Sequence, residues 1–227
     1  IGMGSYERAW LCRGSNRKKQ HQERLKELFT LGYTMHDIVM IIQSGLNVSG
    51  FGGVLQTFYA NNLVQLGDGL DIYSNGFTDG PDMVFPELDS VGGSIYIDYN
   101  NGYNGLANTA APSFPSLQRC DSSVIYQNSF KSYSDFTSLE YVDWSFEFYS
   151  NFTDGGIQYA GPGIPALPYL RGYLNYNNNS GMTSIPEFTN LATVGYWINM
   201  YNNSDLTAFP SFPALVNIQN GGISAYS

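Results

Sequence analysis

One pattern returns seven times between Ala60 and Ser227, at a spacing of 22 to 29 residues. Two copies show it well: Phe85, Leu88, Val91, Ile95, Ile97 and Asn100, then Phe188, Leu191, Val194, Ile198, Met200 and Asn203. With the opening apolar residue counted as zero, the others fall at offsets 3, 6, 10 and 12, and a polar residue, most often Asn, stands at offset 15. The openers are Ala60, Phe85, Phe114, Phe136, Ile164, Phe188 and Phe212, and offset 3 is Leu in every copy, from Leu63 to Leu215. A period of this length is the mark of a stacked-repeat architecture.

The spacing has a mechanical meaning. Offsets 10 and 12 alternate with polar or aromatic neighbours, which turns one side of a short strand inward and the other outward. Each coil is therefore expected to carry one strand and a return loop, often opened by Pro (Pro86, Pro115, Pro165, Pro213). A single coil cannot bury its own apolar row. Stacking coils makes that row continuous, and the Asn at offset 15 is placed to satisfy backbone groups where the chain leaves the strand. In the last copy offsets 10 and 12 are Gly222 and Ser224 with Ile223 between them. Either the register slips there or a strand edge is left for a neighbouring subunit or more chain to cover, which makes a homo- or hetero-oligomer the expectation.

The run Leu88, Val91, Gly92, Ile95, Ile97, Asn100 resembles the leucine-rich repeats of the receptor L-domain and bacterial or phage surface kind, and the resemblance covers residues 60–227. The apolar residue after the Asn comes three places later where present (Met182, Leu206), and the coils are irregular in length, two departures from that family's pattern. What the resemblance implies is an α/β solenoid of about seven coils, mostly strand plus loop, that binds or adheres and does no chemistry.

Composition is consistent with a surface role. Charged residues make up 13% and aromatics 15%, with 18 Tyr and 25 Gly, so solubility rests on amides and hydroxyls more than on ions. This points to an extracellular surface or a virion. Residues 1–30 carry seven basic and three acidic side chains, while residues 31–227 carry three basic and sixteen acidic ones. The two parts are built for different partners. No apolar run approaches the ~20 residues of a membrane span, and a charged, Gln-rich segment occupies residues 13–27 where a signal peptide would have its apolar stretch. The chain opens on Ile1 and not on Met, which suggests a fragment, a processed product or only the ordered part of something longer.

Residues 1–45 read as a basic helical module: Leu25, Leu28 and Phe29 lie at helical spacing before Gly32, Thr34 and Asp37 have the form of a capping box, and Gly45 suits a helix stop after the apolar run Met35 to Gln43. Residues 46–59 then read as a linker or capping turn. Arg17, Lys18, Lys19, Arg24 and Lys26 form a docking patch for a larger assembly, in a segment that also caps the first coil. Contact with nucleic acid through this helix pair is the lesser reading, since the second helix offers Met35, Ile38 and Ile42 where base readout needs Arg, Asn or Gln.

The binding surface expected from the pattern is the outward face of the strand ladder: Asp71, Tyr96, Glu147, Asn175 and Asn199 at offset 11, Tyr73, Asp98, Tyr149 and Tyr201 at offset 13, and Trp197 at offset 9. Tyr and Trp supply rigid area with a polar tip and amides supply adaptable hydrogen bonds, a chemistry suited to a protein or glycan. The same residues also make cross-strand ladders for their own sake. Asp71, Asp98 and Glu147 invite comparison with a glycosidase pair, but acids spread along an acidic solenoid are more often solvated. His21 and His36 are too few for a metal centre, and the loop acids Asp79 and Asp82 fit no calcium-binding spacing. No catalytic residue, metal or cofactor is expected. Cys120 stands at the apolar offset 6 and reads as a small core hydrophobe, whereas Cys12 has no reading.

Overall fold

The computed structural model describes residues 40–42, 45–49, 60, 62–77, 83–102, 110–152 and 157–226. The chain winds as a parallel β-solenoid. Every coil contributes to two eight-stranded sheets. The first sheet is built from Met40–Ile42, Leu63–Leu66, Ser90–Val91, Arg119–Cys120, Tyr141–Val142, Tyr169–Leu170, Thr193–Val194 and Asn217–Ile218. The second runs Leu46–Ser49, Leu70–Tyr73, Ile95–Asp98, Ser123–Tyr126, Phe146–Tyr149, Leu174–Asn177, Ile198–Tyr201 and Ile223–Tyr226, again in chain order. All pairings between neighbouring coils in both sheets are parallel, as return-loop winding requires.

The repeat maps onto this frame position by position. Leu63, Leu88, Leu117, Leu139, Leu167 and Leu191 at offset 3 are all buried to within 1% exposure, so the leucine row is a single interior column. Offset 6 (Leu66, Val91, Cys120, Val142, Leu170, Val194) is equally buried. The opening Phe rings stack from coil to coil, Phe85 on Phe114 at 5.1 Å, Phe114 on Phe136 at 5.7 Å and Phe188 on Phe212 at 4.7 Å, all near parallel. Ile164 interrupts the column. There the Tyr176 ring packs edge-on against Phe188 and near-parallel to Phe146, filling part of the gap.

An asparagine ladder holds the turn after six of the eight second-sheet strands, from Leu70–Tyr73 to Ile198–Tyr201. Asn75, Asn100, Asn128, Asn151, Asn179 and Asn203 are all buried, and each Oδ1 from Asn100 onward accepts both the backbone N–H and the side-chain amide of the Asn one coil earlier, at 3.0 to 3.2 Å. Each Nδ2 also donates to a strand carbonyl, as Asn100 does to Ile72 at 2.8 Å and Asn151 to Ile125 at 2.9 Å. Buried polar atoms that would otherwise be orphaned are thus satisfied by the repeat itself. The residue just before each ladder Asn (Ser74, Tyr99, Gln127, Ser150, Asn178, Asn202) has φ between 48° and 58°, a left-handed conformation costing roughly 1–2 kcal/mol in a non-glycine residue. It persists in every coil because the ladder bonds on its far side depend on it.

Several expectations are corrected. Among the described residues there is no helix, so the solenoid is all-β there, not α/β, and each coil carries two strands where one was expected. The second helix predicted over Met35 to Gln43 is a strand at Met40–Ile42, paired with Leu63–Leu66. Ile41 and Ile42 are β-branched, and a short apolar run of this kind fits a buried strand as readily as a helix. Gly45 is not a helix stop; it lies where successive coils nearly touch, and a Cβ there would meet the Gly69 carbonyl oxygen at 2.6 Å. The segment read as a linker begins with strand Leu46–Ser49, in register with Leu70–Tyr73, so the sheets start well before residue 60. The first predicted helix, residues 17–31, lies outside the described residues.

Two coils slip by one place. Between Cys120 and the next strand the third coil is one residue short, so Ser123 and Ile125 point inward in register with Ile95 and Ile97, where Val124 and Tyr126 were expected, and Asn128 takes the ladder place in front of Ser129. The last coil is one residue long at the same point, and Ile223 pairs with Ile198. The slip considered for that coil is the arrangement found.

Candidate recognition surface

The second sheet lays the expected binding residues out in two outward columns. In the first, Asp71, Tyr96, Val124, Glu147, Asn175, Asn199 and Ser224 are successive cross-strand partners. In the second the partners are Tyr73, Asp98, Tyr126, Tyr149 and Asn177. Tyr201 follows at the next coil, its N–H donating to the Asn177 side chain at 3.3 Å, and its ring stacks on Tyr226 at 5.2 Å. Trp197 sits just ahead of its strand and spreads its ring toward the Gly222 backbone, where a Cβ would come within 3.3 Å of it. The expected residues therefore share one face.

They are not equally available. Asn199 donates to Asn175 at 2.8 Å, so these two amides satisfy each other along the ladder. Tyr73 and Tyr96 remain exposed, and the Tyr99 ring meets Tyr73 edge-on at 5.5 Å. Beside them Asp98 is half-buried, its Oδ1 buried without a hydrogen-bond partner, and desolvation together with the charge of Asp71 pushes its carboxyl up to about 6. Glu147 lies in the first column, two coils from Tyr96. The docking residues Arg17, Lys18, Lys19, Arg24 and Lys26 lie outside the described residues.

A second surface went unread in the sequence. The outward positions of the first sheet carry Arg119 opposite Tyr141, and Tyr169 one coil further on, with the Arg119 guanidinium 5.1 Å from the Tyr141 ring centre. The corner between the sheets adds Trp144, Tyr173 and Tyr196, whose rings form one cluster: Tyr173 stacks on Tyr196 at 5.2 Å and Trp144 leans on Tyr196 at 5.6 Å. Asp143 ties the group together, accepting from the Tyr141 hydroxyl at 3.1 Å and from Arg171 at 3.4 Å. Tyr141, Trp144 and Tyr169 are each more than 40% exposed. Residues 31–227 contain three cations, Arg119, Lys131 and Arg171, and two of them are in this cluster.

A sequence signal existed for it. Tyr141 and Tyr169 both fall at offset 5, between the inward offsets 3 and 6, and Trp144 and Tyr196 both fall at offset 8. Two-residue strands are too short to show alternation, so the first sheet itself was invisible. No family model, curated protein or solved structure matches this chain.

Proposed function

We propose that this chain is a non-catalytic recognition module of the leucine-rich-repeat kind, which adheres to a protein or glycan through its exposed aromatic side chains as part of a larger extracellular or virion assembly. The observation that supports this reading most is the cluster of Tyr141, Trp144 and Tyr169 with Arg119 and Arg171. Exposed Trp, Tyr and Arg fixed on a rigid ladder are the composition of binding hot spots, and they lose little conformational freedom when a ligand covers them. The Tyr73, Tyr96 and Trp197 face is the companion surface.

The test is binding of the labelled chain to a glycan array and a protein microarray. A triple variant, Tyr141→Ala with Trp144→Ala and Tyr169→Ala, should lose at least tenfold in affinity for whatever the parent binds, with an unchanged melting temperature. Full retention by that variant and by Tyr96→Ala, Tyr149→Ala and Trp197→Ala would remove the reading.

A purely structural subunit is the second reading, favoured by the last coil. Ile223 is 49% exposed at the end of a column whose members from Leu70 to Ile198 are buried, and Val216 at 84% and Tyr226 at 61% stand exposed on the outward side of the same coil. A neighbouring subunit or more chain seated there would remove that apolar surface from water, and sedimentation tests the subunit version. Ile223→Asp should then shift sedimentation toward a smaller species, and a chain that sediments as a monomer before the substitution would count against it.

A further inference from the structure

A cleft of about 570 Å³ opens on a third side of the solenoid, away from both aromatic surfaces. It runs across the openings of four successive coils, from Ser113 and Pro115 through Ser134, Asp135 and Thr137 to Gly161 and Pro186. Glycine lets neighbouring coils pack closely along its floor. A Cβ on Gly161 would meet the Met182 sulfur at 2.9 Å, and one on Gly163 would meet Pro186 at 2.9 Å and the Asp135 carboxylate at 3.0 Å.

The polar groups of the cleft are held in place but only partly used. Asp135 Oδ1 accepts the Gly163 N–H at 2.6 Å, while the next residue, Phe136, donates its own N–H to the Gly163 carbonyl at 2.8 Å. This double tie fixes the carboxylate without engaging its second oxygen. The hydroxyls of Ser113, Ser134 and Thr137 have no partner among the described residues, and Ser134 and Thr137 are exposed. Elsewhere on this chain repeated polar side chains bond one coil to the next, as Ser116 does to Pro86 and Ser138 to Pro115, both at 2.6 Å. Here they line the open cleft instead.

The geometry points to a binding site for a neutral sugar, a disaccharide or trisaccharide of uncharged pyranose units. A volume in the ~300–1,000 Å³ range of small-molecule sites suits that size. Sugar hydroxyls both donate and accept, so one ring can donate to the free Asp135 oxygen and accept from the Ser and Thr hydroxyls. The Pro115 and Pro186 rings offer apolar walls for the C–H faces of the sugar. Among the described residues Asp135 is the one charged side chain lining the cleft, which repels an anionic ligand, and a lone ammonium would leave the three hydroxyls unused. This site is independent of the aromatic surfaces, so either can fail alone.

The experiment titrates the full chain with neutral trisaccharides of glucose, galactose, mannose and N-acetylglucosamine, beside glucosamine and glucuronate counterparts, by calorimetry and saturation-transfer NMR. At least one neutral sugar should bind and the charged counterparts should not. Asp135→Asn keeps an acceptor for Gly163 and should weaken binding at least tenfold; Thr137→Val should weaken it several-fold, and Thr137→Trp, which fills the cleft, should abolish it. The triple aromatic variant should bind these sugars as the parent does. The proposal is overturned if no neutral sugar binds, if a charged sugar binds better, or if binding survives Thr137→Trp. It is equally overturned if binding disappears with the aromatic cluster while the Asp135 and Thr137 variants leave it intact. Melting temperature identifies any variant that fails to fold, and Thr137→Val, an isosteric change at an exposed position, then stands as the deciding one.

Discussion

The coil that opens at Phe136 and the coil that opens at Phe212 share one pattern and differ in fate. In the first, Leu139, Val142 and Phe146 are within 1% of fully buried; in the second, Leu215 and Ile218 are only partly buried and Ile223 is half-exposed. Their residues at offsets 3 and 6 are alike, Leu139 matching Leu215 and Val142 matching Ile218. Burial in this fold comes from the next coil, so stability is a sum of interfaces between neighbours and the same residue has a different worth at each place along the rod.

Substitution at matched positions tests that contrast, beginning with the largest effect. Leu139→Ala should cost about 3–5 kcal/mol in denaturant unfolding because it opens a cavity between two coils, whereas Leu215→Ala should cost about 1 kcal/mol. Equal losses would break the comparison. Asn151→Ala should cost roughly 2–5 kcal/mol, since it strips the Asn128 N–H and side-chain amide and the Ile125 carbonyl of their partner in a dry interior. Asn202, exposed, donates its side-chain amide to the Asn178 side chain and holds a left-handed φ, and should cost about 1 kcal/mol when changed to Ala. A gain is expected at Ser123, whose hydroxyl is buried without a partner in a row otherwise filled by Ile95 and Phe146. Ser123→Ala should stabilise by about 1 kcal/mol.

A pH effect separates the second-sheet face from the core. Desolvation and Asp71 raise the Asp98 carboxyl from 3.8 to about 6, so the folded chain holds this proton more tightly than the unfolded one. The contribution is unfavourable above pH 6 and fades as pH falls toward 4. Asp98→Asn should therefore be more stable than the parent at pH 7, with the gap closing between pH 6 and 4. A gap that is constant with pH would contradict this origin.

The sequence was most readable where one residue type does one job in every coil. The offset-3 leucines are such positions, and the ladder asparagines from Asn75 to Asn203 stand where the spacing puts them except in the third coil, where Asn128 comes one place early. It was least readable where length varies by one residue. The missing residue after Cys120 moves Ser123 into a core row and Ile125 off the outer face, and a polar residue at an inward place gives no warning of that. The first sheet hid because its strands are mostly two residues long, and with it went the Tyr141 and Trp144 cluster. Met40–Ile42 could be taken for a helix because an apolar run carries no periodicity of its own; only pairing with Leu63–Leu66, more than twenty residues on, decides the matter.

Native-state hydrogen exchange of the asparagine amides tests the stacked ladder most directly. The backbone N–H groups of Asn100, Asn128, Asn151 and Asn179 each donate to the next Asn, and should exchange only as fast as the whole rod unfolds. Exchange of those four amides within minutes, in a chain that is otherwise folded, would contradict the in-register stacking of its coils.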